Sequence, residues 1–189
     1  KKVKDYKVWF DLAEKKAQID VMAVEHNVEI DTSELNRIFC AYAMKYFGKL
    51  SSEINLKSPV LVSNAMDYIH DHSEKAAIIV MDGMSEFDWT ILKRSFTGIC
   101  YCQSAAFAMI PSTTSISRQC LLSGKYPSQL IEPWKQSKEK NEFYECARKY
   151  GYKDNQIDYE RGYDASFSAF VKCGAVIILD IDELVHAQY

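Results

Sequence analysis

Two short, mostly apolar runs limit what this chain can fold into more than any other feature. Residues 76–81 (Ala-Ala-Ile-Ile-Val-Met) stop at Asp82-Gly83, and residues 175–181 (Ala-Val-Ile-Ile-Leu-Asp-Ile) stop at Asp182. Runs of this length, rich in β-branched residues, fit strands buried on both faces, as strands of a parallel sheet are. Helical patterns lie between them at 85–95, at 114–123 before Gly124, and at 137–150 before Gly151. An apolar segment at 99–110 is predicted to hold a further strand. Strand and helix in alternation indicate an α/β fold with a mostly parallel sheet flanked by helices.

Ahead of this pattern, residues 1–74 read as a helical N-terminal region, and residues 75–189 as the α/β domain. A first helix is predicted near 5–17 with Trp9, Phe10 and Leu12. Asp31-Thr32-Ser33-Glu34 offers several N-caps to a second, whose Leu35, Ile38, Phe39, Tyr42, Tyr46 and Phe47 mark one face, with Gly48 at its end. Ser58-Pro59 is predicted to start a third that runs to His72.

With 189 residues, 48% of them hydrophobic, the chain can bury a sizeable core, and 26% charged residues at a net charge of −3 argue against both disorder and a general nucleic-acid-binding surface. No stretch approaches the roughly 18 apolar residues of a membrane span. The start, Lys-Lys-Val-Lys-Asp, has no apolar run behind it and no initiator Met. The expectation is a piece of a longer cytoplasmic protein. The six cysteines (Cys40, Cys100, Cys102, Cys120, Cys146, Cys173) form no Cys-x-x-Cys pair and are expected to be buried, reduced thiols.

Three local signals carry chemistry. Asp82-Gly83 follows a strand, where an Asp is well placed to hold a metal, although Asp-Gly is also an ordinary turn. Pro111-Ser112-Thr113-Thr114-Ser115-Ile116-Ser117-Arg118 sets hydroxyls at the start of an apolar helix. Such hydroxyls can simply cap the helix; the same end can also receive phosphate, with a hydroxyl as nucleophile and Arg118 one turn along. The third signal is Asp182 and His186, four apart after the second run, a carboxylate–imidazole pair suited to zinc or manganese. Asp180 is an alternative carboxylate there.

In this order the signals resemble the alkaline-phosphatase superfamily: a metal-binding Asp after the first core strand, a nucleophile at a helix start, and an Asp-x-x-x-His metal pair after a later strand. Thr114 to Pro127 (Thr-Ser-Ile-Ser-Arg-Gln-Cys-Leu-Leu-Ser-Gly-Lys-Tyr-Pro) is also similar to the sulfatase signature, aligned so that Thr114 takes the nucleophile's place. Thr instead of Cys there excludes formylglycine chemistry. The chain is most like PglZ domains, whose Pro-Thr-x-Thr-Ser-x-Ser-Arg pattern resembles Pro111 to Arg118, with Ser112 for the first Thr; Ile181 to His186 resembles the PglZ metal pair. The likeness covers roughly residues 76–186.

The resemblance implies a metal-dependent phosphohydrolase, a phosphodiesterase or phosphatase, with Thr114 as nucleophile and Arg118 at the phosphoryl group. Two divalent ions, zinc or else manganese or magnesium, would be held by Asp82 with Thr114 and by Asp182 with His186. It also implies a bacterial setting in phage defence of the BREX type or in signalling, with phosphoester or nucleotide substrates and other defence proteins as partners. Family members need a later Asp-His pair and a distal His, which this sequence does not contain. His26, His70 and His72 precede the first motif. The alkaline-phosphatase-like core is therefore expected to be incomplete, with weak metal binding, negligible turnover and a tendency to self-associate, while the protein to which these residues belong is expected to be active. The alternative is a non-catalytic scaffold that binds a nucleotide or a partner protein.

Overall fold

In the computed structural model, which describes residues 5–187, the two apolar runs and a third, alternating segment form a parallel sheet. Its edges are β1 (Ala76–Met81) and β2 (Ile157–Arg161), and β3 (Cys173–Ile178) lies between them. The helices are, in chain order, α1 (Lys7–Glu25), α2 (Ser33–Tyr46), α3 (Ala65–His72), α4 (Glu86–Leu92), α5 (Thr114–Ser123), α6 (Glu139–Lys149) and α7 (Asp180–Ala187). The fold is thus α/β, with a small parallel sheet flanked by helices. The charged opening residues 1–4 and residues 188–189 lie outside the described residues. Among the described residues, no helix is long and apolar enough to cross a membrane.

The chain divides into two compact units: residues 1–53 with 84–105, and residues 54–83 with 106–189. In the first, α1 packs on α4, and the Trp9 ring meets Phe39 and Tyr42 at 5.0 and 5.1 Å between centroids. Ser85 caps α4 through a reciprocal pair of bonds with Asp88. The second unit holds the sheet. It includes residues 54–74, which the sequence pattern alone groups with the N-terminal helices.

Register decides which face of the sheet is core. Ile78 lies opposite Ala175, Val80 opposite Ile177, and Tyr159 opposite Ala175 from the other side, so these side chains share a face. Met66 of α3, Leu122 of α5, and Phe143, Cys146 and Ala147 of α6 close over that face. On the other face, the Phe167 ring lies against Gly174 so closely that a Cβ there would sit 2.6 Å from a ring carbon. The central strand β3 is buried through five successive residues, as its sequence suggests. By contrast β1 is an edge strand, and Ile79 on its second face is 64% exposed. An apolar run does not report how many of its faces are covered.

Three further expectations differ from the structure. Residues 99–110 form no ladder; only Phe107 pairs, bridging to Leu61. Leu61 is extended and paired in that bridge, so no helix runs on from Ser58-Pro59; a 3-10 turn at Val62–Asn64 leads into α3 instead. The strand β2 has no apolar run behind it, since Ile-Asp-Tyr-Glu-Arg alternates and buries only Ile157 and Tyr159. The thiols divide evenly: Cys120, Cys146 and Cys173 are buried, whereas Cys40, Cys100 and Cys102 are exposed. The last two are exposed because their segment has no neighbouring strand.

Candidate active site at the carboxyl edge of the sheet

In a parallel sheet all strands deliver their last residues to one edge, and here that edge gathers the singled-out carboxylates. Asp82 follows β1 and continues its ladder by one bond, its N–H donating to the Ile178 carbonyl at 2.9 Å. Gly83 then turns at φ +73°, in the left-handed region open to glycine. Its missing side chain matters for a second reason. A Cβ there would lie 2.8 Å from Cα and 2.9 Å from N of Asp182, so the start of α7 rests directly on Gly83. Asp82 and Asp182, a hundred residues apart in sequence, are brought together in this way.

The helix α7 begins within two residues of β3, with Asp180, Asp182 and Glu183 in its first turn, where the helix dipole favours carboxylates. Asp182 and His186 face the same way, Oδ1 to Nε2 at 3.6 Å, with the imidazole 77% exposed. Asp180 is exposed in that same turn.

Thr114 is the first residue of α5, and Thr113 precedes it as N-cap with no side-chain capping bond. Hydroxyls in this segment therefore do not follow the ordinary capping pattern, and the helix start keeps N–H groups free. Thr114 is half-buried, whereas Ser112 and Thr113 are exposed. Gly124, at φ +68°, ends the helix.

Arg118, one turn beyond Thr114, is buried and bonded to two carboxylates. Nη1 donates to Asp82 Oδ2 at 2.8 Å and Nε to Glu139 Oε2 at 2.7 Å, while Nη2 is buried without a partner among the described residues. Burial is the strongest influence on this guanidinium and works against its charge. The bonds to Glu139 and the charge of Asp82 outweigh it, so the proton is held more tightly than usual. Glu139 also accepts from Tyr159, and no sequence pattern marks either residue as functional. Glu139 stands in Lys135-Gln-Ser-Lys-Glu-Lys-Asn-Glu142, where nothing distinguishes it from a solvated helix residue.

The structure thus joins Arg118 to Asp82, rests Asp182 beside Gly83, and pairs Asp182 with His186. Thr114 enters through its helix, on the turn before Arg118. The donor types, two carboxylates, a hydroxyl and an imidazole, are those of a divalent-metal site. As they stand they do not fit one: Asp82 is engaged by Arg118, and among the described residues no three His, Cys, Asp or Glu side chains converge as a metal ion requires. Neither protein-family models nor curated protein sequences give a match to this chain.

Proposed function

We propose that this chain carries the nucleophile of a metal-dependent phosphoric-ester hydrolase of the PglZ type, on an alkaline-phosphatase-like core. The observation that carries the reading is the Arg118–Asp82 bond at 2.8 Å. It ties the helix that starts at Thr114 to the strand end that Asp182 also adjoins, so three motifs spread over residues 82–186 share one edge of the sheet.

Thr114 is the nucleophile. Its Oγ gives up its proton and bonds to phosphorus as the bond from phosphorus to the leaving oxygen breaks and that oxygen takes up a proton; water later cleaves the phosphoryl-threonine, restoring the hydroxyl and releasing phosphate from a monoester or a phosphomonoester from a diester. The free N–H groups at the start of α5 and the positive charge of Arg118 favour the anionic phosphoryl group at that end. The divalent ions that this reading calls for would draw on Asp82, Thr114, Asp182 and His186 for part of their ligands, in an arrangement other than the present one, in which Asp82 Oδ2 is taken by Arg118, and with further donors closing each site.

The test is hydrolysis of bis-p-nitrophenyl phosphate by the full-length protein with zinc or manganese, beside Thr114→Ala. Metal-dependent turnover that falls at least about a thousandfold in the variant supports the reading. Folded protein without turnover under any metal removes it and leaves the scaffold alternative, in which the same edge binds a nucleotide or partner without chemistry.

A further inference from the structure

The buried carboxylate of Glu139 has no part in the function proposed above, yet it accepts one of the two bonds that fix Arg118. Glu139 is the first residue of α6 and is wholly buried. Its two oxygens take two different donors: Oε2 accepts from Arg118 Nε at 2.7 Å, and Oε1 accepts from the Tyr159 hydroxyl. We propose that Glu139 and Tyr159 are positioning residues of this site, which fix the guanidinium of Arg118 and, through it, the carboxylate of Asp82. The functional meaning of the inference rests on the phosphohydrolase reading; its geometry does not.

A carboxylate sealed from water persists as an ion only where donors replace its hydration, and here there are two. The guanidinium is planar, with Nε held by Glu139 and Nη1 by Asp82, so it cannot turn without breaking one of two charge-assisted bonds. Tyr159 anchors the far side of Glu139. Burial, aided by the bonded carboxylate, pushes its hydroxyl up to about 12, so it remains a donor at neutral pH. Its oxygen in turn accepts from Arg161 Nε at 3.4 Å. The line therefore runs from β2, one edge of the sheet, through α6 and α5 to Asp82 after β1, the other edge. It holds two carboxylates against one guanidinium, which leaves Asp82 short of a full cationic partner. A residue that served only to fill space would need neither of Glu139's charged bonds.

The experiment is arginine-selective ¹⁵N NMR of the full chain, comparing wild type, Tyr159→Phe and Glu139→Gln, with Arg118→Lys to assign the signal. Circular dichroism selects variants that keep the fold; Phe retains the ring of Tyr159 and Gln the shape of Glu139, so each checks the other. The expected result is slow exchange of the Arg118 Nε proton in wild type, about tenfold faster in Tyr159→Phe and faster still in Glu139→Gln. Unchanged exchange in folded variants overturns the proposal. With bis-p-nitrophenyl phosphate and manganese, Tyr159→Phe is expected to lower kcat while KM stays within about twofold, the pattern of a misaligned site and not of lost substrate binding. If wild type itself shows no turnover, the phosphohydrolase reading fails, and the exchange rates still decide whether Glu139 and Tyr159 hold Arg118.

Discussion

Replacing Gly83 by Ala tests whether Asp182 is held beside Asp82. Two costs are expected. A side chain at φ +73° carries a left-handed penalty of about 1–2 kcal/mol. The new Cβ would also stand 2.8 Å from Cα and 2.9 Å from N of Asp182, and these are backbone atoms that no rotamer change can move aside. Overpacking of this kind costs about 1–3 kcal/mol. Gly151→Ala is the matched control: it lies in the same unit at φ +87°, with nothing within 4 Å of a Cβ. It carries the left-handed penalty and the same gain from a stiffer unfolded chain, but not the collision. Gly83→Ala should therefore be less stable than Gly151→Ala by about 1–3 kcal/mol. For a chain of this size that corresponds to roughly 2–12 °C in Tm. Thermal unfolding followed by circular dichroism reads the difference. Equal melting temperatures would show that α7 yields freely and that Asp182 is not fixed at this edge.

Two further outcomes follow from burial. With its fold intact, the chain should expose Cys40, Cys100 and Cys102 to a thiol reagent and withhold Cys120, Cys146 and Cys173 until denatured; six thiols reacting at once would contradict the core described. Burial raises those three thiols to about 11 and the Tyr159 hydroxyl to about 12, so the fold favours their neutral forms. Their contribution is complete below the ordinary values of about 9 and 10 and is lost as pH rises through the raised ones. Tm should therefore fall steadily from pH 9 to 12, and a flat profile across that window would count against these buried groups.

The sequence by itself determined the parallel α/β pattern, because apolar runs bounded by Gly and Asp have few other ways to be satisfied. It also placed α5 at Thr114–Ser123 with Gly124 as its stop, since a left-handed glycine at a helix end is a local requirement. The nearness of Asp182 and His186 was legible for the same reason, four residues being one helical turn. Tertiary structure decided the rest. Whether β1 is central or an edge depends on which strands pair with it, and its own residues do not record that. The strand β2 was hidden because only Ile157 and Tyr159 are buried in it, and the region 99–110 looked like a strand but pairs with a neighbour only at Phe107. Arg118 could be placed on its helix face from sequence, but its partners could not. Asp82 is 36 residues and Glu139 21 residues away along the chain, and a surface glutamate and a buried one are written with the same letter. Which of them loses its water, and therefore must find an arginine and a tyrosine, is settled only when α6 closes over the sheet.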